Sequence, residues 1–273
     1  MSITESAAIR GFCRMCEDGW KQGWHERNGG NLTYRMTDDE VRACRREFTF
    51  DRPWVKMGVQ DDSLGCEFFI VTGSGKYMRN IPEDPEHNIG IVEISPKGDA
   101  YRIVWGLLDG AKPTSELDSH YLCHVTRAAA TDGACRVMYH AHPAHIVALT
   151  FVLPLTARDI TRALWQSEME CTIVFPNGVG VIPWMVPGGP EIAEETRKAM
   201  EQYDAVVWAH HGLFTSGPDY DSAFGLMHTI EKAAEIRILA LSAGQGQLRQ
   251  TIPDQGIRDI AAAYGKTLNE SLL

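Results

Sequence analysis

Residues 137–149 read Val137-Met138-Tyr139-His140-Ala141-His142-Pro143-Ala144-His145-Ile146-Val147-Ala148-Leu149. The opening apolar and aromatic residues favour a strand over 137–142, and Pro143 stands where proline best initiates a helix, here over 144–153. Residues 137–157 contain no Asp, Glu, Lys or Arg. A membrane span is nevertheless a poor reading, because His140, His142, His145, Pro143 and Pro154 interrupt the run. The stretch predicts a strand followed by a buried helix. Strand side chains alternate, so His140 and His142 project from one face of the strand end.

Strand and helix signals continue outward in both directions. Toward the C-terminus, a helix is expected over 157–169, a strand over 171–175 and a turn at Pro176-Asn177-Gly178. A helix over 190–202, a strand over 205–211 and a long helix over 219–242 follow. Toward the N-terminus, Pro113-Thr114-Ser115-Glu116 starts a helix whose apolar stripe is Leu117, Tyr121, Val125 and Ala128. Strands are expected at 101–105, 89–94 and 67–72, the last running into Gly73-Ser74-Gly75-Lys76. Residues 36–66 show no period and read as loop and short strands. Asn28-Gly29-Gly30-Asn31 makes a tight loop before a strand over 32–35. Ahead of it lies an amphipathic helix carrying Ile9, Phe12, Cys16, Trp20 and Trp24, with Ser2 and Glu5 at capping-box spacing. No repeat, low-complexity tract or linker divides the chain. The expectation is one α/β domain over 1–273, with a central sheet covered by helices on its faces.

Composition narrows the class. The 273 residues carry 26 Lys plus Arg and 36 Asp plus Glu, a formal charge of −10. That balance argues against binding nucleic acid or an anionic membrane through bulk charge, but permits a local pocket for a small anion. The N-terminus has no basic segment followed by an apolar run, so no secretory signal is expected. Seven scattered cysteines suit a reducing cytoplasm. The Cys13-Arg14-Met15-Cys16 spacing lacks a second Cys/His pair nearby and reads as two small apolar residues on a helix face.

The histidines carry chemistry. His210-His211-Gly212 ends the 205–211 strand much as His140-Ala141-His142 ends the first. Three neutral imidazoles suit Zn²⁺ or a neighbouring divalent metal and leave a coordination position open. His210 and His211 face opposite sides, and the residues alone do not choose between them. His145 reads as structural or as a support for the site. The loops at 28–31, 73–76 and 114–116 offer backbone N–H and hydroxyl donors at strand ends and a helix start; each alone reads as a plain turn, but together with a metal they suggest a phosphorylated, metal-chelating small substrate. They match neither a Walker loop nor a dinucleotide fingerprint. Glu116 is either a favourable charge at a helix N-terminus or, beside a metal, a general base or resting ligand. Glu168 and Glu170 are by default solvated helix-end residues.

Taken together, Glu26-Arg27-Asn28-Gly29-Gly30-Asn31-Leu32-Thr33, Ile70-Val71-Thr72-Gly73-Ser74-Gly75-Lys76, Pro113-Thr114-Ser115-Glu116-Leu117 and Ile182-Pro183-Trp184-Met185-Val186-Pro187-Gly188 resemble the class II sugar-phosphate aldolases over nearly the whole chain. The last stretch is particular to one branch of that family. The resemblance implies a mostly antiparallel sheet and one Zn²⁺ per subunit held by His140, His142 and His211. It implies Glu116 as the catalytic acid/base, and a substrate phosphate near Asn28, Asn31, Ser74, Gly75, Thr114 and Ser115. It also implies a cyclic homotetramer with sites at subunit interfaces, in which Glu170 serves the neighbouring site by handling the aldehyde oxygen. The resemblance further implies a phosphorylated ketose as substrate, cleaved without a Schiff-base lysine. Other readings are a different aldolase, epimerase or dehydratase of the same scaffold, or a non-catalytic, adducin-like scaffold protein, which loss of the metal histidines would favour, although here all are present. A zinc hydrolase lacks support, since neither H-E-x-x-H nor a nucleophile elbow is present.

Overall fold

The computed structural model describes residues 2–273. Nine strands form one sheet: β1 (Asn31–Arg35), β2 (Val55–Lys56), β3 (Phe68–Thr72), β4 (Ile89–Ile94), β5 (Ala100–Gly106), β6 (Val137–Ala141), β7 (Gly180–Ile182), β8 (Ala205–Trp208) and β9 (Gly212–Gly217). Their order across the sheet is β2-β5-β4-β3-β1-β6-β9-β8-β7. Every pairing is antiparallel except β7 with β8. Among the described residues ten α-helices accompany the sheet, besides short 3-10 turns: α1 (Ala7–Lys21), α2 (Asp38–Cys44), α3 (Pro85–Asn88), α4 (Leu117–Ala130), α5 (Ala144–Val152), α6 (Ala157–Trp165), α7 (Glu170–Val174), α8 (Pro190–Met200), α9 (Tyr220–Ala243) and α10 (Asp254–Ala263).

Period-two alternation divides the strand residues between two cores. Ile70, Val137, Tyr139, Val207 and Leu213 pack with Ile9 and Phe12 of α1, Leu149 of α5, Leu164 of α6, Ile230 of α9 and Ile257 of α10. Met138, Val206, Trp208 and Phe214 project the other way, onto Cys123 of α4 and Ile192 and Met200 of α8. Phe69 and Val71 face that same side and meet Leu117 and Tyr121 of α4. Both faces are therefore covered, and the sheet is mostly antiparallel. Asn31 pairs with His140 and Thr33 with Met138 across β1 and β6, so Asn31, Thr33, Met138 and His140 all face α4.

Several local expectations need correction. Residues 171–175 were expected as a strand, but Glu170–Val174 is a helical turn. A short apolar run does not distinguish the two, and here packing against α6, α9 and α10 decides. The strand expected over 205–211 stops at Trp208, and His211 N–H donates to the Trp208 carbonyl at 3.0 Å. His210 takes φ 61°, and the chain reverses into β9. The 36–66 segment contains α2, with a full capping box between Thr37 and Glu40. Ser6, not Ser2, caps α1, accepting from Ile9 N–H. The helix after Pro143 is only partly buried: Phe151 and Val152 are 69% and 59% exposed.

Candidate metal centre and active site

One end of the sheet gathers the start of β1, the end of β3, the end of β6, the β8–β9 turn and the N-terminus of α4. His140, His142 and His211 meet there, each offering a ring nitrogen within 4.8 Å of the others. The tautomer of His140 is set by its surroundings. Its Nδ1–H donates to the Leu213 carbonyl at 3.1 Å, which leaves a lone pair on Nε2. That Nε2 is buried and has no partner within the protein. An orphaned, fully buried imidazole nitrogen is rare unless a further group completes it. A second ring is oriented by Glu26, whose Oε1 lies 2.7 Å from His142 Nδ1 and leaves Nε2 for the cluster. A carboxylate or carbonyl behind the imidazole is the usual support of a metal-ligating histidine. Burial, with His142 as a neighbour, pushes His211 down to about 4. The same causes hold His140 well below the ordinary histidine value. Both rings are thus neutral, as metal ligation requires. The donor set fits a divalent cation of the zinc type.

Glycines permit this packing. A Cβ on Gly212 would lie 2.4 Å from the Ala141 carbonyl and 3.0 Å from both the His140 and His142 rings. Gly30 has φ +74°, and a Cβ there would lie 2.4 Å from His25 Nδ1 and 2.6 Å from the His140 carbonyl.

Glu116 stands immediately before α4, with Oε2 3.9 Å from His140 Nε2. The carboxyl is buried, which raises its pKa, partly offset by a hydrogen bond from Asn31 and by His142. Asn31 Nδ2–H donates to Glu116 Oε2 at 2.9 Å, and the other end of the amide is held by His120. The Asn31 carboxamide is therefore engaged inside the protein.

Asn28, Ser74, Gly75 and Ser115 are solvent-exposed at the same end of the sheet, whereas Thr114 is buried. Backbone bonds lock two of these loops together: Ser74 N–H donates to the Lys112 carbonyl and Thr114 N–H to the Thr72 carbonyl, both at 2.8 Å. Ser74, Thr114 and Ser115 line a cavity of about 270 Å³ that Lys56 and Lys112 also border. Glu170 lies apart. It is exposed at the start of α7, a helix packed against α9, and so belongs to the opposite face of the sheet from Glu116.

The structure separates His210 from His211. The His210 backbone N–H donates to Thr150 Oγ1 at 3.0 Å, and its ring packs against Phe151, tilted by 48° with centroids 4.2 Å apart. Only His211 joins the cluster.

Supporting residues outside the motifs escaped sequence reading. His25 donates from Nδ1 to the Gly29 carbonyl at 2.9 Å, and its Nε2 accepts from the Tyr139 hydroxyl at 2.7 Å, bracing the 28–31 loop. Glu231 of α9 accepts from the His145 and Ile146 backbone N–H groups and from His145 Nδ1. His120 and His124 follow Glu116 at intervals of four. That helical spacing was the available signal for them.

Comparison with known proteins agrees with this architecture. Residues 10–238 match the family described as Class II Aldolase and Adducin N-terminal domain. The chain belongs to the class II aldolase and adducin family. It is 42% identical over 272 residues to a rhamnulose-1-phosphate aldolase of Mannheimia succiniciproducens, covering 100% of this chain and 99% of the relative. A rhamnulose-1-phosphate aldolase of an Enterobacter species is 41% identical over 272 residues, covering 100% and 98%. Among solved structures, a sugar-phosphate aldolase from Thermotoga maritima superposes with a TM-score of 0.75 at 26% identity, covering 86% of this chain and 95% of that one.

Proposed function

We propose that this chain is a zinc-dependent aldehyde-lyase that cleaves L-rhamnulose 1-phosphate to dihydroxyacetone phosphate and L-lactaldehyde, a step of L-rhamnose breakdown. The observation that carries the reading is the buried, partnerless Nε2 of His140, placed beside two further imidazoles and the Glu116 carboxylate. Full-length similarity to two rhamnulose-1-phosphate aldolases supports the substrate.

His140, His142 and His211 hold the cation, one per subunit. When bound, Zn²⁺ supplies Lewis acidity for the negative charge left on the dihydroxyacetone phosphate half as the C3–C4 bond breaks. Neutral donors at Asn28, Ser74, Gly75, Thr114 and Ser115, together with the Asn31 loop, hold the phosphate. They fix C3 beside Glu116, which delivers a proton to that carbon in cleavage and removes it in synthesis. Glu170 comes from a neighbouring subunit and handles the oxygen of the departing aldehyde. This role accounts for its exposure and its distance from Glu116 within one chain. The assembly is a cyclic homotetramer, and exposed Phe151, Val152, Trp184 and Val186 are apolar surface of the kind that such contacts cover. Residues 1–273 act as one domain, in the cytoplasm. Among the described residues no helix is long and apolar enough to cross a membrane, and the seven cysteines are unpaired.

The decisive assay compares L-rhamnulose 1-phosphate with L-fuculose 1-phosphate, with and without chelator, on wild type and Glu116→Gln. Expected are a preference for the rhamnulose ester, loss of activity with chelator and its return with zinc. Glu116→Gln should keep its zinc and lose roughly 10²–10⁴-fold in turnover. Chelator-insensitive cleavage, a preference for the fuculose ester or near-normal turnover in the variant would overturn the assignment.

A further inference from the structure

A chain of buried polar groups runs from Glu116 into the interface between β1 and α4. Asn31 bonds Glu116, His120 Nε2 bonds Asn31 Oδ1, and the Thr33 hydroxyl lies 2.8 Å from both His120 Nδ1 and His124 Nε2. All of its members are at least nine-tenths buried. It ends at His124 Nδ1, which is buried without a partner.

Donor and acceptor inventory fixes the direction of every bond. An ionised carboxylate only accepts, so Asn31 presents its NH₂ to Glu116 and its carbonyl to His120. His120 must then carry its proton on Nε2, which leaves Nδ1 to accept from the Thr33 hydroxyl. Thr33 has one proton, already given to His120, so its oxygen accepts from His124 Nε2–H. The orphan at the end of the chain is then a lone pair on His124 Nδ1. Reversing the chain would put an unpaired N–H there instead, and orphaned buried donors are the rarer kind. Burial drives His120 down to about 3 and His124 well below the ordinary value, so each ring keeps a single proton.

We infer that His120, oriented by Thr33 and His124, is a positioning residue: it locks the Asn31 carboxamide with its NH₂ toward Glu116 and so fixes the catalytic carboxylate. Oε2 of Glu116 is occupied by Asn31, so Oε1 is the oxygen free to carry the proton. Without His120 the amide can rotate and present its carbonyl to the carboxylate, which repels it. The inference rests on the acid/base role proposed for Glu116.

The test uses the zinc-loaded enzyme and two readouts: cleavage of L-rhamnulose 1-phosphate, and exchange of the C3 proton of dihydroxyacetone phosphate with D₂O. His120→Gln keeps an N–H donor near the Nε2 position and should stay within about threefold of wild type, whereas His120→Met and Thr33→Val should lose roughly ten- to a hundredfold in both rates. KM should stay within about twofold and zinc content should be unchanged. Unaltered rates in folded, zinc-loaded His120→Met, or equal losses in the Gln and Met variants, would overturn the inference. Nitrogen-15 spectra of histidine-labelled wild type provide a test that needs no folded loss-of-function variant. His120, assigned by the signal lost in His120→Gln, should be protonated on Nε2, and protonation on Nδ1 would equally overturn it. If wild type neither cleaves nor exchanges, the proposed function fails, while the tautomer still decides the geometry of the chain.

Discussion

Replacing Glu231 with alanine should destabilise the protein through a helix that begins 87 residues earlier, at Ala144. Pro143 precedes α5 and gives it no side-chain cap. The N–H groups of the second and third helical residues, His145 and Ile146, instead donate to Glu231 of α9 at 3.0 and 2.9 Å, and His145 Nδ1 lies 2.8 Å from the same carboxylate. Hydrogen bonds to a charged group contribute about 1.5–3 kcal/mol each, so losing all three could cost more than about 4.5 kcal/mol. A small cavity of about 120 Å³ borders Glu231, His145, His228 and Trp24. Water entering the vacated space would bond some of the freed donors and reduce the cost. A loss of about 3 kcal/mol is therefore expected, equivalent to a fall in Tm of roughly 6–12 °C. The measurement is urea unfolding in excess chelator, because a bound metal would add its own stabilisation. Zinc affinity should also fall, since α5 starts two residues after His142. A loss below about 1 kcal/mol, with unchanged zinc affinity, would refute this account of how α5 is anchored.

Gly30→Ala should damage both the loop and the metal strand, because its Cβ would lie 2.4 Å from His25 Nδ1 and 2.6 Å from the His140 carbonyl at φ +74°. Expected are a raised KM for the phosphate ester and weakened zinc binding; a wild-type KM would contradict the packing. Acid should weaken the metal-free protein. Burial lowers His25 to about 4 and His120 to about 3, so both stay neutral in the fold while their unfolded counterparts protonate near 6.5. Their contribution is complete above about pH 6.5 and is lost as pH falls toward the folded values. The two together account for about 3 kcal/mol between pH 6.5 and 5. Urea unfolding in chelator at pH 6.5, 5.75 and 5 measures this, and a flat profile would refute it.

Much of the site was legible because chemistry-bearing residues stand at the ends of regular elements. His140 and His142 share a face through strand alternation alone, and the apolar runs around them placed β3, β6 and α9. The choice between His210 and His211 was closed to that reasoning, since it depends on a turn in which His210 adopts a positive φ and hands its backbone N–H to Thr150. The 171–175 run failed for a similar reason, its helical form being selected by α6, α9 and α10 rather than by local preference.

By itself, then, the sequence determined the layered α/β class, the shared face of His140 and His142 and the donor-rich loops, because side-chain period and residue chemistry are local properties. Only the tertiary structure decided which nitrogen of His140 is left bare, which residues hold Glu116, and that α5 is capped by a glutamate from α9. Hydrogen-bond partners 85 or more residues apart, such as Asn31 with Glu116 or Ile146 with Glu231, are fixed by strand register and helix packing. No local pattern encodes those distances.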